Sequence, residues 1–319
     1  MSFSSQVKDE LARVKPVEPL PCRAELRAML LFGGKLKREE AKLFFSSEHA
    51  GTVRKYFTLI RNEYKIRDSF YIEQRPSLNR AHTFDAVLTG MKEAETVLDS
   101  LSLRASSSGD LETAPGGAAE RPGEEEKSRE AERAFLRGAF LASGSLSDPE
   151  KSYHLEVVCR DLEKAVLLRD LFSRFGVNAG IVGRKRNSVV YLKDSGEIVE
   201  ALGLMEAPGA LMELENVRIL KDMRNSVNRQ VNCEAANISK TVEAAMKQVA
   251  EIEYIRDTAG LDSLPEHLRE MAEIRLKYPD AALKELGEYL NPPVGKSGVN
   301  HRLRKLSEYA GELRGARIC

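Results

Sequence analysis

Eleven residues that occur twice, 110 positions apart, constrain this 319-residue chain more than any other feature. LRAMLLFGGKL begins at Leu26 and LRGAFLASGSL at Leu136, and the copies share Leu26/Leu136, Arg27/Arg137, Leu31/Leu141, Gly34/Gly144 and Leu36/Leu146. The same succession of patterns follows each copy. After Gly34 come a β-like run AKLFF, a helical run HAGTVRKYFTLIRNEY, two alternating runs FYIEQR and HTFDAVL, and a helix to about Leu103. After Gly144 come YHLEVVC, DLEKAVLLRDLFSRFG, the hairpin NAGIVGR and SVVYLK, and then SGEIVEALGLM. Each half therefore reads α-β-β-α-β-β-α, because stretches of helical period 3.6 are interleaved with stretches of strand period 2. Residues 1–103 and 132–205 are expected to form one pseudo-symmetric α+β body.

Between the halves, residues 104–131 combine Ser, Gly, Pro, Ala and Glu with few large apolar side chains, too few to repay the entropy of ordering. The sequence predicts a disordered acidic linker there. Charge along the chain is uneven: residues 105–132 hold eight acids against three bases, and residues 291–319 hold six bases against two acids. Formal neutrality thus hides an acidic tether and a basic end, the arrangement of a nucleic-acid binder. A hydrophobic content of 42% suits a soluble, core-forming chain. Without a stretch approaching the ~20 apolar residues of a membrane span, the protein is expected in the cytoplasm. Cys22, Cys159, Cys233 and Cys319 are scattered and far from any histidine cluster, so no zinc site, disulfide or cofactor is expected.

Beyond Glu206 the β signal stops. Residues 206–237 read as an Asn/Arg-rich helical connector whose segment RNSVNRQVNCEAAN breaks the apolar period, and residues 238–319 read as a helical domain. There, Ser263 caps and Pro265 starts a helix that halts before Pro279. Ala282, Leu283, Leu286 and Leu290 form the apolar face of the next helix, NPPVG breaks the chain, and Ser297 stands as the N-cap of a last helix with Val299, Leu303 and Leu306 inside. Lys296, Ser297, Asn300, His301, Arg304 and Lys305 then face outward, as the base-reading donors of a helix-turn-helix do. An ordinary helical hairpin with a polar outer face is the plainer alternative.

The two repeated strings resemble the signature helices of LAGLIDADG homing endonucleases. That resemblance implies two helices crossing on small residues, here Ala28, Gly138, Ala139 and Ala142, and an acidic metal ligand just before each final glycine. Gly33 and Ser143 occupy those two positions, so the metal centre and nuclease chemistry are expected to be lost. Asp148 is the nearest replacement acid, in a turn-forming Asp-Pro context. The resemblance also implies DNA docking on two β-saddles, whose hairpin tips carry Arg75, Arg80, Arg184, Lys185 and Arg186 as phosphate contacts.

Three longer strings, FLRGAFLASGSLSDPEKSYHLEV, RILKDMRNSVNRQVNCEAANISKT and KSGVNHRLRKL, resemble the WhiA family of Gram-positive bacteria over nearly the whole chain. In the middle string Asn216, Asn225, Asn228, Asn232 and Asn237 interleave with Arg218, Lys221, Arg224 and Arg229, types suited to phosphate and base contacts. The resemblance implies a nucleoid-associated transcription regulator of sporulation, cell division and chromosome segregation. It implies double-stranded DNA as partner and, in actinobacterial members, a small iron–sulfur regulator. A monomer is the working expectation, with oligomers left open. The alternatives are a nuclease or maturase with relocated acids, and a body that docks protein and never touches DNA.

Overall fold

A computed structural model describes residues 2–76, 82–114 and 125–316, in two compact units, Met1–Lys221 and Asp222–Cys319. The first unit opens with α1 (Phe3–Arg13), whose Val7 and Leu11 are fully buried and whose start is capped by the Ser2 hydroxyl accepting from the Ser5 N–H at 3.2 Å. The first repeat runs α2 (Pro19–Gly33), β1 (Gly34–Lys37), β2 (Lys42–Ser47), α3 (Ala50–Tyr64), β3 (Phe70–Pro76), β4 (His82–Thr89) and α4 (Met91–Ser100). A short hairpin follows, β5 (Leu103–Ala105) and β6 (Leu111–Thr113). The second repeat runs α5 (Glu125–Ser143), β7 (Gly144–Leu146), β8 (Leu155–Cys159), α6 (Leu162–Arg174), β9 (Gly180–Arg184), β10 (Asn187–Leu192) and α7 (Ser195–Met205). The predicted order of elements is present in both halves.

Each repeat builds a four-stranded antiparallel sheet, β1-β2-β4-β3 and β7-β8-β10-β9, in the same strand order. Alternation decides the faces. Leu43, Phe45, Ala86 and Leu88 point to the helical side, where Tyr56 of α3 lies 4.5 Å from the Phe45 ring and 6.0 Å from that of Phe70. Leu155, Val157, Val190 and Leu192 do the same in the second sheet. On the opposite faces Tyr71 and Val182 are exposed and Glu73, Glu156 and Tyr191 are half-buried, while Asp85 is fully buried.

Two expectations require correction. The segment read as a disordered linker, 104–131, is structured at both ends: β5 pairs with β6, Leu111 is fully buried, and α5 begins at Glu125. The SSSGD turn is held because Leu36 donates its N–H to the Gly109 carbonyl at 2.8 Å. Gly109 has φ +81°, and a Cβ there would stand 2.2 Å from the Leu36 carbonyl oxygen. The rest of the segment, 115–124, lies outside the described residues. The second correction concerns RNSVNRQVNCEAAN, which does not interrupt anything: α8 runs unbroken from Pro208 to Thr258. No glycine or proline occurs between Ala210 and Ala259, and asparagine and serine lower helix propensity without forbidding the backbone.

The second unit contains the later part of α8, a 3-10 turn at Leu261–Ser263, α9 (Glu266–Lys277), α10 (Leu283–Glu288) and α11 (Lys296–Ala316). Pro265 takes the cap position of α9, and Ser263 instead donates its hydroxyl to the Gly260 carbonyl at 2.7 Å. Ile252, Ile255, Met271, Leu286, Val299, Leu303 and Leu306 make the core.

Candidate nucleic-acid interface

The last two helices join through a tight turn. A Cβ on Gly287 would stand 2.0 Å from the Val294 carbonyl oxygen, while the Val294 N–H donates to the Gly287 carbonyl at 2.9 Å, so glycine is required for α10 to meet the start of α11. The α11 helix starts at Lys296, which places Ser297 inside the first turn and not at the cap. Val299, Leu303, Leu306 and Ala310 are buried at helical spacing. Lys296, Ser297, Asn300, His301, Arg304 and Lys305 are all exposed, together on the other side. Arg302 ties α11 to α9 through Glu270 at 3.5 Å and the His267 carbonyl at 3.3 Å. Arg304 and Lys305 meet Glu308 at 3.4 and 3.0 Å, and these two bases hold its carboxyl below the ordinary glutamate range, Lys305 most strongly. Such solvent-exposed pairs contribute little and exchange readily for a phosphate or a base edge.

On the body, the hairpin-tip bases fall into two groups. Arg75 is ion-paired to Asp85, which is fully buried, and Arg184 meets Glu156 at 3.0 Å, so both reach back from the hairpin tip to a carboxylate on the neighbouring strand. Lys185 and Arg186 are exposed at the β9–β10 turn, Lys185 with φ +54°. Arg80 lies outside the described residues. Along α8, Lys221 donates to the Pro149 carbonyl at 2.6 Å and sits over the Tyr153 ring, and Arg218 pairs with Glu215 at 3.2 Å. Arg224, Asn225, Asn228, Arg229, Asn232 and Asn237 are exposed. Asn225, Asn228, Arg229 and Asn232 share one flank, being three or four residues apart.

The two repeated helices, α2 and α5, pack against each other as the small residues require. A Cβ on Gly138 would stand 2.5 Å from the Glu25 carbonyl oxygen and 3.0 Å from the Ala28 side chain. At their ends, Gly33 has no room for an acid: its Cβ would meet the Phe45 ring at 2.7 Å and Ala142 at 3.3 Å. Ser143 turns its hydroxyl to the Ala139 carbonyl at 3.5 Å. Asp148 accepts from the Glu150 N–H at 2.9 Å, within its own turn. The acid that does approach the helix ends is Asp110, from the segment read as a linker. Its carboxylate meets Arg160 at 2.7 Å, and the same guanidinium donates to the Gly34 carbonyl at 2.9 Å. Sequence reasoning passed over both residues because neither lies in a recognised string.

A second group is buried deeper in the crossing. Glu25, fully inaccessible, pairs with Lys55 at 2.5 Å and with Arg137 through two contacts at 3.2 and 3.1 Å, and Arg137 also meets Glu206 at 3.1 Å. Burial pushes the Lys55 amine down, and Glu25 opposes that shift. Sequence reasoning passed over this group, because Glu25, Lys55 and Glu206 all lie outside the repeated strings.

Comparison with known proteins assigns the parts. Family models described as the WhiA N-terminal LAGLIDADG-like domain, the WhiA LAGLIDADG-like domain and the WhiA C-terminal HTH domain match residues 22–104, 132–224 and 227–310. The chain is 43% identical over 323 residues to "Probable cell division protein WhiA" of Alkaliphilus metalliredigens, with all of both chains covered. It is 43% identical over 313 residues to the protein of that name in Heliobacterium modesticaldum, covering 97% of this chain and 96% of that one. Among solved structures, full-length WhiA from Thermatoga maritima matches with a TM-score of 0.58 at 24% identity, covering 98% and 99% of the two chains, a likeness of fold.

Proposed function

The chain belongs to the WhiA family, and from that premise we propose that it is a sequence-specific DNA-binding regulator that acts in cell division, with chromosome segregation and sporulation as its wider setting, and that it binds without cleaving. Its place of action is the cytoplasm, on the nucleoid; among the described residues no helix is long and apolar enough to cross a membrane. One observation carries the reading: six polar or basic side chains stand exposed along the start and middle of α11, above a fully buried apolar side. Asn300 and Arg304 are four residues apart, so one groove edge meets both, with Asn suited to adenine and Arg to guanine. The absence of turnover is supported by Gly33, where the Phe45 ring fills the space of a metal-binding carboxylate.

Titration of the wild type, Asn300→Ala and Arg304→Ala against a target promoter and a scrambled duplex tests base reading. Each substitution is expected to cost about 1–3 kcal/mol on the promoter and little on the scrambled duplex. Equal losses on both would make α11 a phosphate clamp. Incubation with Mg²⁺ or EDTA should leave the DNA uncut, and metal-dependent cleavage would sink the non-nuclease reading.

A second reading, in which the body docks protein and not DNA, is favoured by the Arg75–Asp85 and Arg184–Glu156 pairs, which neutralise two tip bases from within. Arg186→Ala separates the two. A body on DNA loses affinity for all duplexes and about one unit of salt slope, whereas a protein-docking body loses neither.

A further inference from the structure

Among the described residues of the second unit two charged side chains are buried, Arg275 at 2% and Glu251 at 7% exposure. Arg275 spans two neutral acceptors, the Gln248 side-chain oxygen at 3.1 Å and the Ala281 carbonyl at 2.7 Å, and so fastens the loop that enters α10 to helix α8. Glu251, three residues beyond Gln248 on the same side of α8, accepts from the Ser307 hydroxyl of α11 at 2.5 Å. The Lys247 ammonium is 3.9 Å away on a side chain 74% exposed, too loosely held to neutralise the carboxylate. A carboxylate at this position costs stability. The same stripe of α8 carries Ala245, Ile252 and Ile255, and an aliphatic residue at 251 facing alanine at 307 would bury without a desolvation penalty.

What an apolar pair cannot supply is direction. Hydrophobic contact is indifferent to orientation, so Val299, Leu303, Leu306 and Ala310 keep α11 buried over a range of rotations about its own axis. Hydrogen bonds fix the angle. Arg302 reaches Glu270 and the His267 carbonyl of α9 at 3.5 and 3.3 Å, and Ser307, roughly 140° around the helix on the other side of the buried stripe, reaches α8. Arg314, seven residues beyond Ser307, lies over the Tyr254 ring at 4.9 Å, so α8 faces this flank of α11 along two turns. Ser307 is itself seven residues beyond Asn300, within about 20° of the same azimuth. The Glu251 bond therefore acts on the flank of α11 that carries Asn300, with Arg304 one turn along. A rotation of about 15° moves a side-chain end ~6 Å from the helix axis by roughly 1.5 Å, enough to break a paired contact to a base edge.

We propose that Glu251 is a positioning residue for base reading, which through Ser307 sets the rotation of α11 and hence the angle at which Asn300 and Arg304 meet the groove. This role rests on the reading of bases by α11 given above.

The test titrates the full chain with a duplex selected for tight binding from a random-sequence pool and with its scrambled counterpart. Glu251→Leu combined with Ser307→Ala replaces the bonded pair by an apolar one, so Tm should equal or exceed that of the wild type. The ratio of the two affinities should nevertheless fall about tenfold through misaligned base contacts, with the scrambled affinity within about twofold of wild type. Glu251→Gln keeps an oxygen for the Ser307 hydroxyl and should hold the wild-type ratio. A second readout needs no DNA. With Cys233 and Cys319 changed to serine, spin labels at Ala244 and Glu312, exposed on α8 and α11, should give a shifted or broader distance in the double variant and the wild-type distance in Glu251→Gln. An unchanged affinity ratio in the double variant would overturn the assignment. So would a fall in Tm that carries both affinities down with it, which would make the pair structural alone, or a Glu251→Gln protein that behaves like the double variant. A distance that shifts in the double variant while Arg304→Ala weakens both duplexes alike would overturn base reading by α11, and this role of Glu251 with it, but leave the hold of α8 on α11 standing.

Discussion

The two halves of the body share every helix and strand in the same order, yet the polar residues at their junction differ in kind. Glu25 is buried in α2, and the position 110 residues on is Phe135. Arg27 and Arg137 are equivalent in sequence, but Arg137 is clasped by Glu25 and Glu206, whereas burial lowers the pKa of the Arg27 guanidinium and its Nε is buried without a hydrogen-bond partner. The edge strands differ likewise. β1 is covered by the turn at Gly109, and β7 receives the Ser4 hydroxyl of α1, which accepts from the Leu146 N–H at 3.1 Å. Just past β2 and β8 stand Glu48 and Arg160, opposite in sign, and the groups that answer them, Lys8 and Asp110, are opposite too. Packing therefore holds the backbone symmetric, since small residues must meet at the crossing and apolar residues must face the helices. Charge is free to diverge, because one carboxylate at the axis satisfies both halves.

The comparison is broken most severely at Glu25. Glu25→Gln leaves Arg137 and Lys55 buried without their counter-charge and is expected to lower stability by about 3–5 kcal/mol in denaturant titration, while Phe135→Gln costs no ion pair. Replacing Glu25, Arg137 and Lys55 together by Leu, Met and Met should recover most of that loss, and a triple variant no more stable than the single one would show that the charges do more than compensate one another. Gly138→Val tests the crossing itself. With 2.5 Å to a backbone oxygen the helices must separate, at a cost of about 1–3 kcal/mol, and a neutral result would mean the crossing is loose.

Lys8 gives a pH-dependent test. Burial pulls its amine from the ordinary value down to about 8, with the Glu48 charge opposing the shift. Below that pH the amine is charged in both folded and unfolded chains and the burial penalty is present in full. Between about 8 and 10.5 the unfolded chain holds more protons, so stability should rise with pH, and above that range the gain is complete. In Lys8→Met, Tm at neutral pH should increase and this rise should vanish; parallel Tm–pH curves for the two proteins would refute the assignment. The smallest effect is expected for Asp110→Asn. Its pair with Arg160 is about one-third exposed on both sides, worth under about 1 kcal/mol, and the Gly34 carbonyl still holds the guanidinium.

Much of the body was legible because period 3.6 and period 2 alternate cleanly around the repeated strings, and because Gly33 and Ser143 stand in them where acids would be expected. The hairpin of β5 and β6 was not. Its Leu103 and Leu111 look too few to order a segment of Ser, Gly and Glu, and what orders them is the free edge of β1, a partner that exists only once the first sheet is folded. In the candidate interface, the outward set on α11 could be read from the buried spacing of Val299, Leu303 and Leu306. The sequestering of Arg75, Arg184 and Lys221 could not, since Asp85, Glu156 and the Pro149 carbonyl lie ten, twenty-eight and seventy-two residues away.

What the sequence determined by itself is everything that follows from local period and composition: the order of elements, the two-repeat body and the outward polar face of the last helix. Tertiary structure decided which charges are available. A guanidinium at a hairpin tip and one on a helix have the same chemistry in the chain, and the difference between a free donor and a neutralised one is set by whether folding brings a carboxylate within about 3 Å, a distance over which pairing prevails and beyond which water competes.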